Sequence, residues 1–413
     1  MDNISRKAKK ITLTLFGGQS LASAAFIGAV TLNSILGAKL GGSASWAGVP
    51  SAVYQLGGAG AAFLWGFIMD AIGRRGGLVT GLVLGVFGSA LAVWAVASSN
   101  LAGFLASMLL MGIANAAVTL GRFAAAEVHA PEARGRAISN VVVGGTIGAV
   151  AGPLLVAPSG QLVSNYGLDE LSGPYTASLA LFAIAALIIF IGLRPDPREL
   201  GREIARLYPE ATPSHGDRRS IPKIFKQPAV IVAVLAMVLG QMVMVMVMVI
   251  TALHMRNHQH GLGQVSLVIS AHTVGMFAFS IISGRLADHW GRGPVILIGA
   301  STLLLACLAA PLSPQVLPLA ISLFLLGLGW NFCFVGGSAL LADQLSPAER
   351  ARSQGFNDLL VGFAGALASL SSGLIFAAVG FGIMAAIGAV FTLIPLAVTG
   401  LWHWRRQPGP QAI

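Results

Sequence analysis

Charge is what this sequence has least of. Asp, Glu, Lys and Arg make up 10% of its 413 residues and 55% are hydrophobic, where a soluble domain carries about 25% charged residues. A chain so poor in charge cannot cover itself against water, so most of its surface is expected to face hydrocarbon. Cysteine is almost absent too. Cys307 and Cys333 lie in apolar runs without CxxC or zinc-ligand spacing, which excludes a disulfide framework. No glycine run carries the lysine of a phosphate loop, Gly57-Gly58 included, and no nucleophile–base pattern is present. An enzyme is therefore not expected, and no cofactor. Glycine, by contrast, is abundant at 52 residues, and it is frequent in membrane helices because it lets them approach closely.

Apolar runs of membrane length recur near residues 11–36, 49–69, 77–98, 101–125, 137–157 and 174–193. After a polar stretch they resume near 228–253, 264–287, 294–312, 315–341, 354–379 and 381–402. The first run, at about 26 residues, is too long for the apolar core of a signal peptide and long enough to cross a ~30 Å hydrocarbon layer. Backbone groups in lipid must be satisfied internally, so each run is expected to be helical. The expected fold is an all-α membrane protein of twelve transmembrane helices in two six-helix halves, residues 1–193 and 228–413, joined by a linker at 194–227. Within the linker, Pro197 to Tyr208 are expected to form a short solvated helix without chemistry.

Basic residues set the orientation. With the amino terminus in the cytoplasm, all of the 25 Lys and Arg residues except Lys39 and Arg256 fall on or beside the cytoplasmic side, as the positive-inside rule requires. Both termini are then cytoplasmic. The formal charge of +10 becomes a topology signal, and nucleic acid is excluded as a partner. The partner that remains is the lipid bilayer.

Two landmarks repeat. The loop after the second run reads Gly66-x-x-x-Asp70-x-x-Gly73-Arg74, and the loop after the eighth reads Gly284-x-x-x-Asp288-x-x-Gly291-Arg292. Glu127 with Pro131, Arg134 and Arg136 follows the fourth run; Asp343 with Pro347, Arg350 and Arg352 follows the tenth. Two matched landmarks at nearly one offset mean an internal duplication, a mark of secondary transporters. These motifs resemble the major facilitator superfamily along the whole chain. The resemblance implies two cytoplasmic charge clusters, Asp70–Arg74–Glu127 and Asp288–Arg292–Asp343, that hold the halves closed and break when the transporter opens inward. It also implies a monomer. One position departs from the pattern: the superfamily's drug–proton antiporters carry an arginine early in helix four, where this chain has Met108. The segment Gly144-x-x-x-Gly148-x-x-x-Gly152-Pro153 resembles the antiporter motif of helix five and equally fits small-residue packing.

No acidic residue falls at the centre of an expected helix. Buried carboxylates are the usual sign of proton coupling or a cationic drug site, and clustered oxygens are what hard cations need. Their absence argues against drug efflux and against magnesium or calcium. Methionine and histidine take their place. Seven of the 12 methionines and four of the eight histidines lie between residues 237 and 276. Met244 and Met248 share one face of helix seven, and His272 and Met276 share one face of helix eight, because residues four apart stand one turn apart. Met237, Met242 and Met246 are expected to pack. Thioether and imidazole without carboxylate suit a soft monovalent ion, Cu(I) above all.

The pairs M-x-x-x-M and H-x-x-x-M on these helices resemble those of the CcoA-like bacterial copper importers of the superfamily. That resemblance makes Met244, Met248, His272 and Met276 copper ligands, the copper ion the substrate, import the direction and the bacterial inner membrane the location. His254, His258 and His260 in the outer loop would recruit the metal. Two other functions stay open: import of a small organic nutrient such as riboflavin, through polar and aromatic residues including Asn33, Tyr54, Gln241, Trp330 and Asn331, and drug efflux.

Overall fold

The computed structural model describes residues 2–208 and 219–405. Its helices are α1 (Asp2–Val30), α2 (Asn33–Gly41), α3 (Val49–Ala97), α4 (Leu101–Thr119), α5 (Gly121–Glu127), α6 (Arg134–Leu154), α7 (Val156–Ser164), α8 (Gly173–Gly192) and α9 (Pro197–Leu207). They continue as α10 (Ile221–Phe225), α11 (Pro228–Asn257), α12 (Leu262–Phe277), α13 (Ser280–Trp290), α14 (Arg292–Ala309), α15 (Val316–Asp343) and α16 (Pro347–Trp404). Among the described residues there is no strand. Among the described residues ten helical runs are long and apolar enough to cross a membrane. Two of them, α3 and α16, have 49 and 58 residues and a non-helical glycine inside, Gly73 and Gly380. At 1.5 Å per residue each is about twice as long as one ~30 Å crossing needs, so the breaks turn two runs into four crossings and make twelve in all.

The chain divides into two compact units, Met1–Thr212 and Pro213–Ile413, and the boundary falls within the expected linker. In the first unit α1 packs along α6 and α8, and α3 along α4 and α8. In the second, α11 packs along α16 and α15, α12 along α15, and α14 along α15 and α16. The same scheme of neighbours is thus used twice.

Small residues decide how closely the helices approach. A Cβ on Gly144, Gly148 or Gly152 of α6 would run into the main-chain carbonyl of Phe16, Ser20 or Ala24 of α1, respectively. The fourfold spacing on one helix meets a fourfold spacing on the other, which is small-residue packing at work.

Two expected spans are interrupted. The run 11–36 breaks at Thr31 and Leu32, between α1 and α2, where the Thr31 hydroxyl bonds back to the Ile27 carbonyl at 2.7 Å and so competes with the helical ladder. The run 264–287 breaks at Ala278 and Phe279, between α12 and α13. The linker helix α9 corrects a third expectation. It is not solvated all round, since Leu200 and Ile204 are buried on one face while Arg198, Arg202 and Arg206 stand elsewhere around it. Burial of two branched aliphatic side chains contributes about 1.5–3 kcal/mol each, which holds such a helix down.

Candidate functional site

His272 lies on α12 with no exposed surface. Its Nδ1 stands 2.9 Å from the Leu323 carbonyl of α15, and a carbonyl only accepts, so Nδ1 carries the hydrogen. In the neutral ring Nε2 then presents a lone pair, and Nε2 is buried without a hydrogen-bond partner. A neutral imidazole fixed through one nitrogen, with the other free, is the arrangement of a metal-ligating histidine before the metal arrives.

Met276 is one turn further along α12 and half-buried, immediately before the helix break. A break in a membrane helix frees main-chain groups that neighbouring side chains must satisfy. Asn331 of α15 does this, its amide donating to the Met276 carbonyl at 2.6 Å and to Ser280 Oγ at 2.8 Å. The Ser283 hydroxyl donates to the Asn331 oxygen in turn. Asn331, named above among the candidate contacts of an organic nutrient, therefore supports the backbone beside the His272–Met276 pair. Interrupted helices at mid-membrane are where secondary transporters place their binding sites.

On α11, Met237, Gln241, Met244 and Met248 follow the i, i+4, i+7, i+11 spacing of a single stripe. Met244 is buried and Met248 half-buried. The stripe turns towards α15, because Gln241 Oε1 accepts from Trp330 Nε1 at 2.7 Å and Met237 Sδ accepts from Ser338 Oγ at 3.3 Å. α15 runs the other way, so climbing α11 from Met237 descends α15 from Ser338. Met244 and Met248 thereby reach the level of residues 323–331, the segment whose Leu323 carbonyl bonds His272 and whose Asn331 bonds the Met276 carbonyl. The Met244/Met248 and His272/Met276 pairs stand on separate helices, α11 and α12, which both pack along α15. Met246, on another face, reaches towards Gly388 of α16, which is packing.

Of the three histidines expected in the outer loop, His254 lies in the last turn of α11, and His258 and His260 follow the helix. His254 stacks on Phe381 with ring centroids 4.2 Å apart, and its edge meets the His258 ring at 4.4 Å. His258 Nδ1 faces the His254 carbonyl. His260 is turned away, between the Pro314 carbonyl at 2.8 Å and the Gln264 side chain at 3.2 Å. Among the described residues no group of three or more His, Cys, Asp or Glu is placed to hold a metal.

At the basic ends of the units two arginines gather carboxylates. Arg74 bonds both Glu127 oxygens, with Nη2 at 2.7 Å from Oε1 and Nε at 3.0 Å from Oε2, and bonds Asp70 at 2.8 Å. Arg292 bonds Asp288 at 2.6 Å and Asp343 at 3.1 Å. A third carboxylate in the first unit was missed by sequence reasoning. Asp196 accepts from the main-chain N–H groups of Arg74 at 3.2 Å, Arg75 at 2.9 Å and its own helix's Arg198 at 2.9 Å. The Asp-Pro at the head of α9 is an N-cap signal, but nothing local announces the second helix it caps. Also missed was Glu349, buried and bonded by Arg219 through Nε at 2.8 Å and Nη2 at 2.7 Å. Ser346 and Glu349 form a capping box, which the S-x-x-E pattern could have shown.

The family model of the Major Facilitator Superfamily matches residues 15–263 and 232–413. The uncharacterized MFS-type transporter YdeG of Bacillus subtilis (strain 168) is 35% identical over 93% of this chain and 88% of its own. The riboflavin transporter RfnT of Brucella anthropi is 26% identical over 83% of each chain. The crystal structure of the nucleoside transporter NupG superposes with a TM-score of 0.72 at 16% identity, covering 96% of this chain and 99% of NupG, which speaks for the fold alone. With its twelve crossings and its doubled loop motif, the chain belongs to the Major Facilitator Superfamily and is a multi-pass membrane transporter.

Proposed function

We propose that the protein imports copper, as Cu(I), across the bacterial cytoplasmic membrane, with Met244, Met248, His272 and Met276 as successive or joint ligands. The observation that carries this reading is the buried His272 ring, tied through Nδ1 and free at Nε2, one turn from a thioether beside a helix break. Neutral thioether and imidazole donors suit a soft monovalent ion. They also add no charge to the membrane interior when empty. The two arginine clusters serve as cytoplasmic gates that break as the transporter opens inward, and both termini face the cytoplasm.

The test is uptake of radioactive copper over minutes in cells lacking the endogenous protein. Wild type should accumulate copper well above the empty vector, and His272→Ala and Met244→Ala should each lose at least tenfold in initial rate at equal expression. Uptake indistinguishable from the vector in all three strains would overturn the proposal.

A second reading is import of a small organic nutrient. Likeness to the riboflavin transporter RfnT supports it, as does the group formed by Gln241, Trp330, Phe334 and Phe277. There Trp330 accepts a stacked Phe334 at 5.0 Å and an edge-on Phe277 at 6.2 Å. Aromatic faces beside a hydrogen-bonding amide are how organic sites are built. Riboflavin uptake that survives His272→Ala and fails in Trp330→Ala would favour this reading over copper.

A further inference from the structure

At the basic end of the first unit a cavity of about 810 Å³ opens between α1, the start of α6 and the linker helix α9. Its walls are of two kinds. Leu13, Phe16, Val143, Ile204 and Leu207 make one part apolar, while Lys9 and Arg136 stand in the other, and among the described residues no carboxylate lines it. Leu13 is 70% exposed and Leu207 52%, so large aliphatic surface is left uncovered beside two exposed cations. A second hollow of about 490 Å³ is lined by Arg198, Gly201 and Arg202 of α9 together with Arg74, Arg134 and the carboxylate of Glu127. The linker helix thus offers arginines to one hollow and aliphatic side chains to the other.

The chemistry that satisfies both walls at once is an amphiphile with an anionic head. A free phosphate or a soluble anion would pair with Lys9 and Arg136 but leave the aliphatic wall wet. A neutral acyl chain would cover the wall but ignore the cations. An amphipathic helix with arginines on its polar face lies in the plane of a membrane interface, and basic pockets beside membrane helices on the cytoplasmic side take anionic headgroups. We propose that this cavity is a binding site for an anionic phospholipid, the headgroup at Lys9 and Arg136 and an acyl chain along Leu13, Ile204 and Leu207. The site is independent of the cargo. It ties the linker helix, and through Asp196 the Gly73 turn, to the lipid composition of the leaflet it faces.

The experiment uses the full-length protein purified in a mild detergent and titrated with phosphatidylglycerol or phosphatidylcholine, with bound lipid counted by native mass spectrometry. Wild type should hold phosphatidylglycerol at least fivefold more tightly than phosphatidylcholine. Lys9→Gln/Arg136→Gln should abolish that preference while keeping weak binding of both lipids. Leu207→Ser should weaken both lipids and keep the preference. Both changes are at exposed side chains, and an unaltered thermal unfolding curve verifies the fold. Equal binding of the two lipids by wild type overturns the proposal. So does a preference untouched by the double substitution, or displacement of the lipid by millimolar inorganic phosphate at constant ionic strength.

Discussion

The two arginine clusters come from one sequence pattern and differ in what the chain brings to them. In the first unit Arg74 grips Glu127 with two nitrogens, and Asp196 of the linker closes over the Gly73 turn from outside. In the second, Arg292 reaches the shorter Asp343 with Nε alone, and among the described residues no carboxylate closes over the Gly291 turn. The Asp343 side chain is 47% exposed against 32% for Glu127. A bidentate guanidinium–carboxylate pair is stronger and more directional than a single bond, and exposure screens what is left. The duplicated motif therefore yields a braced cluster and a loose one, and under the proposed gating role the cluster of the second unit is expected to yield first.

The sharpest way to break this comparison lies at the two turn glycines. Gly73 has φ 85° and ψ 166°, and Gly291 φ 90° and ψ 163°, a region open essentially to glycine that costs other residues about 1–3 kcal/mol. Backbone strain should thus be equal in Gly73→Ala and Gly291→Ala. The surroundings are not equal. A Cβ at Gly73 would lie 2.5 Å from the Asp196 carboxylate, whereas the nearest atom at Gly291 is Pro294 Cδ at 4.0 Å. Gly73→Ala should therefore lower the thermal unfolding midpoint clearly more than Gly291→Ala. Adding Asp196→Ala to each should shrink the difference, because the clash goes with the carboxylate. Equal midpoints for the two single variants would mean that Asp196 moves aside freely and braces nothing.

How much of this was legible in the sequence depends on distance along the chain. Asp70 with Arg74 and Asp288 with Arg292 are four residues apart, so helical spacing alone pairs them. Glu127 and Asp343 could be added only because the motif occurs twice and resembles a known superfamily. The twelve crossings were legible from apolar length, since a bilayer leaves the backbone one economical solution. Asp196 and Arg219 were not, because each acts on a turn or carboxylate more than a hundred residues away. The break after Met276 was also hidden. The residues around it, Phe277-Ala278-Phe279, contain neither glycine nor proline, and the interruption is held by Asn331 from another helix together with the Ser280 and Ser283 hydroxyls, which bond the Phe277 and Phe279 carbonyls. At the candidate site the spacing showed which Met and His residues share a face, while the tether from His272 to Leu323 had to come from the fold.

A smaller effect separates the carboxylates that pair with the two arginines. Glu127→Gln removes the charge from a two-nitrogen grip and should cost about 1–2 kcal/mol, the range for hydrogen bonds to charged groups reduced for partial exposure. Asp343→Asn gives up one bond on a surface nearly half open and should cost about 0.5 kcal/mol or less. Chemical denaturation of the purified variants reads both. In transport assays the same pair should differ in the same order, Glu127→Gln slowing uptake more. A larger loss from Asp343→Asn would reverse the assignment of braced and loose.

The remaining effect, present at neutral pH and removed by acid, concerns the other end of the linker. Glu349 accepts from the Arg219 side chain and from the Ser346 and Arg219 main chains. The arginine hydrogen bonds first, and the Ser346 N–H second, hold its carboxyl well below the ordinary value of 4.5. A carboxylate whose value is depressed by folding lends its stability fully above the unfolded value, and that stability drains away as pH falls towards the folded one. The melting temperature should accordingly stay flat from pH 7 to about 5 on account of this group, then fall with a slope that Glu349→Gln lacks. The variant starts lower at neutral pH and approaches wild type in acid. Parallel curves for the two proteins down to pH 3 would show that the Arg219–Glu349 pair does not anchor the second unit's end of the linker. The loose cluster at Arg292 would then have no braced neighbour to compensate for it.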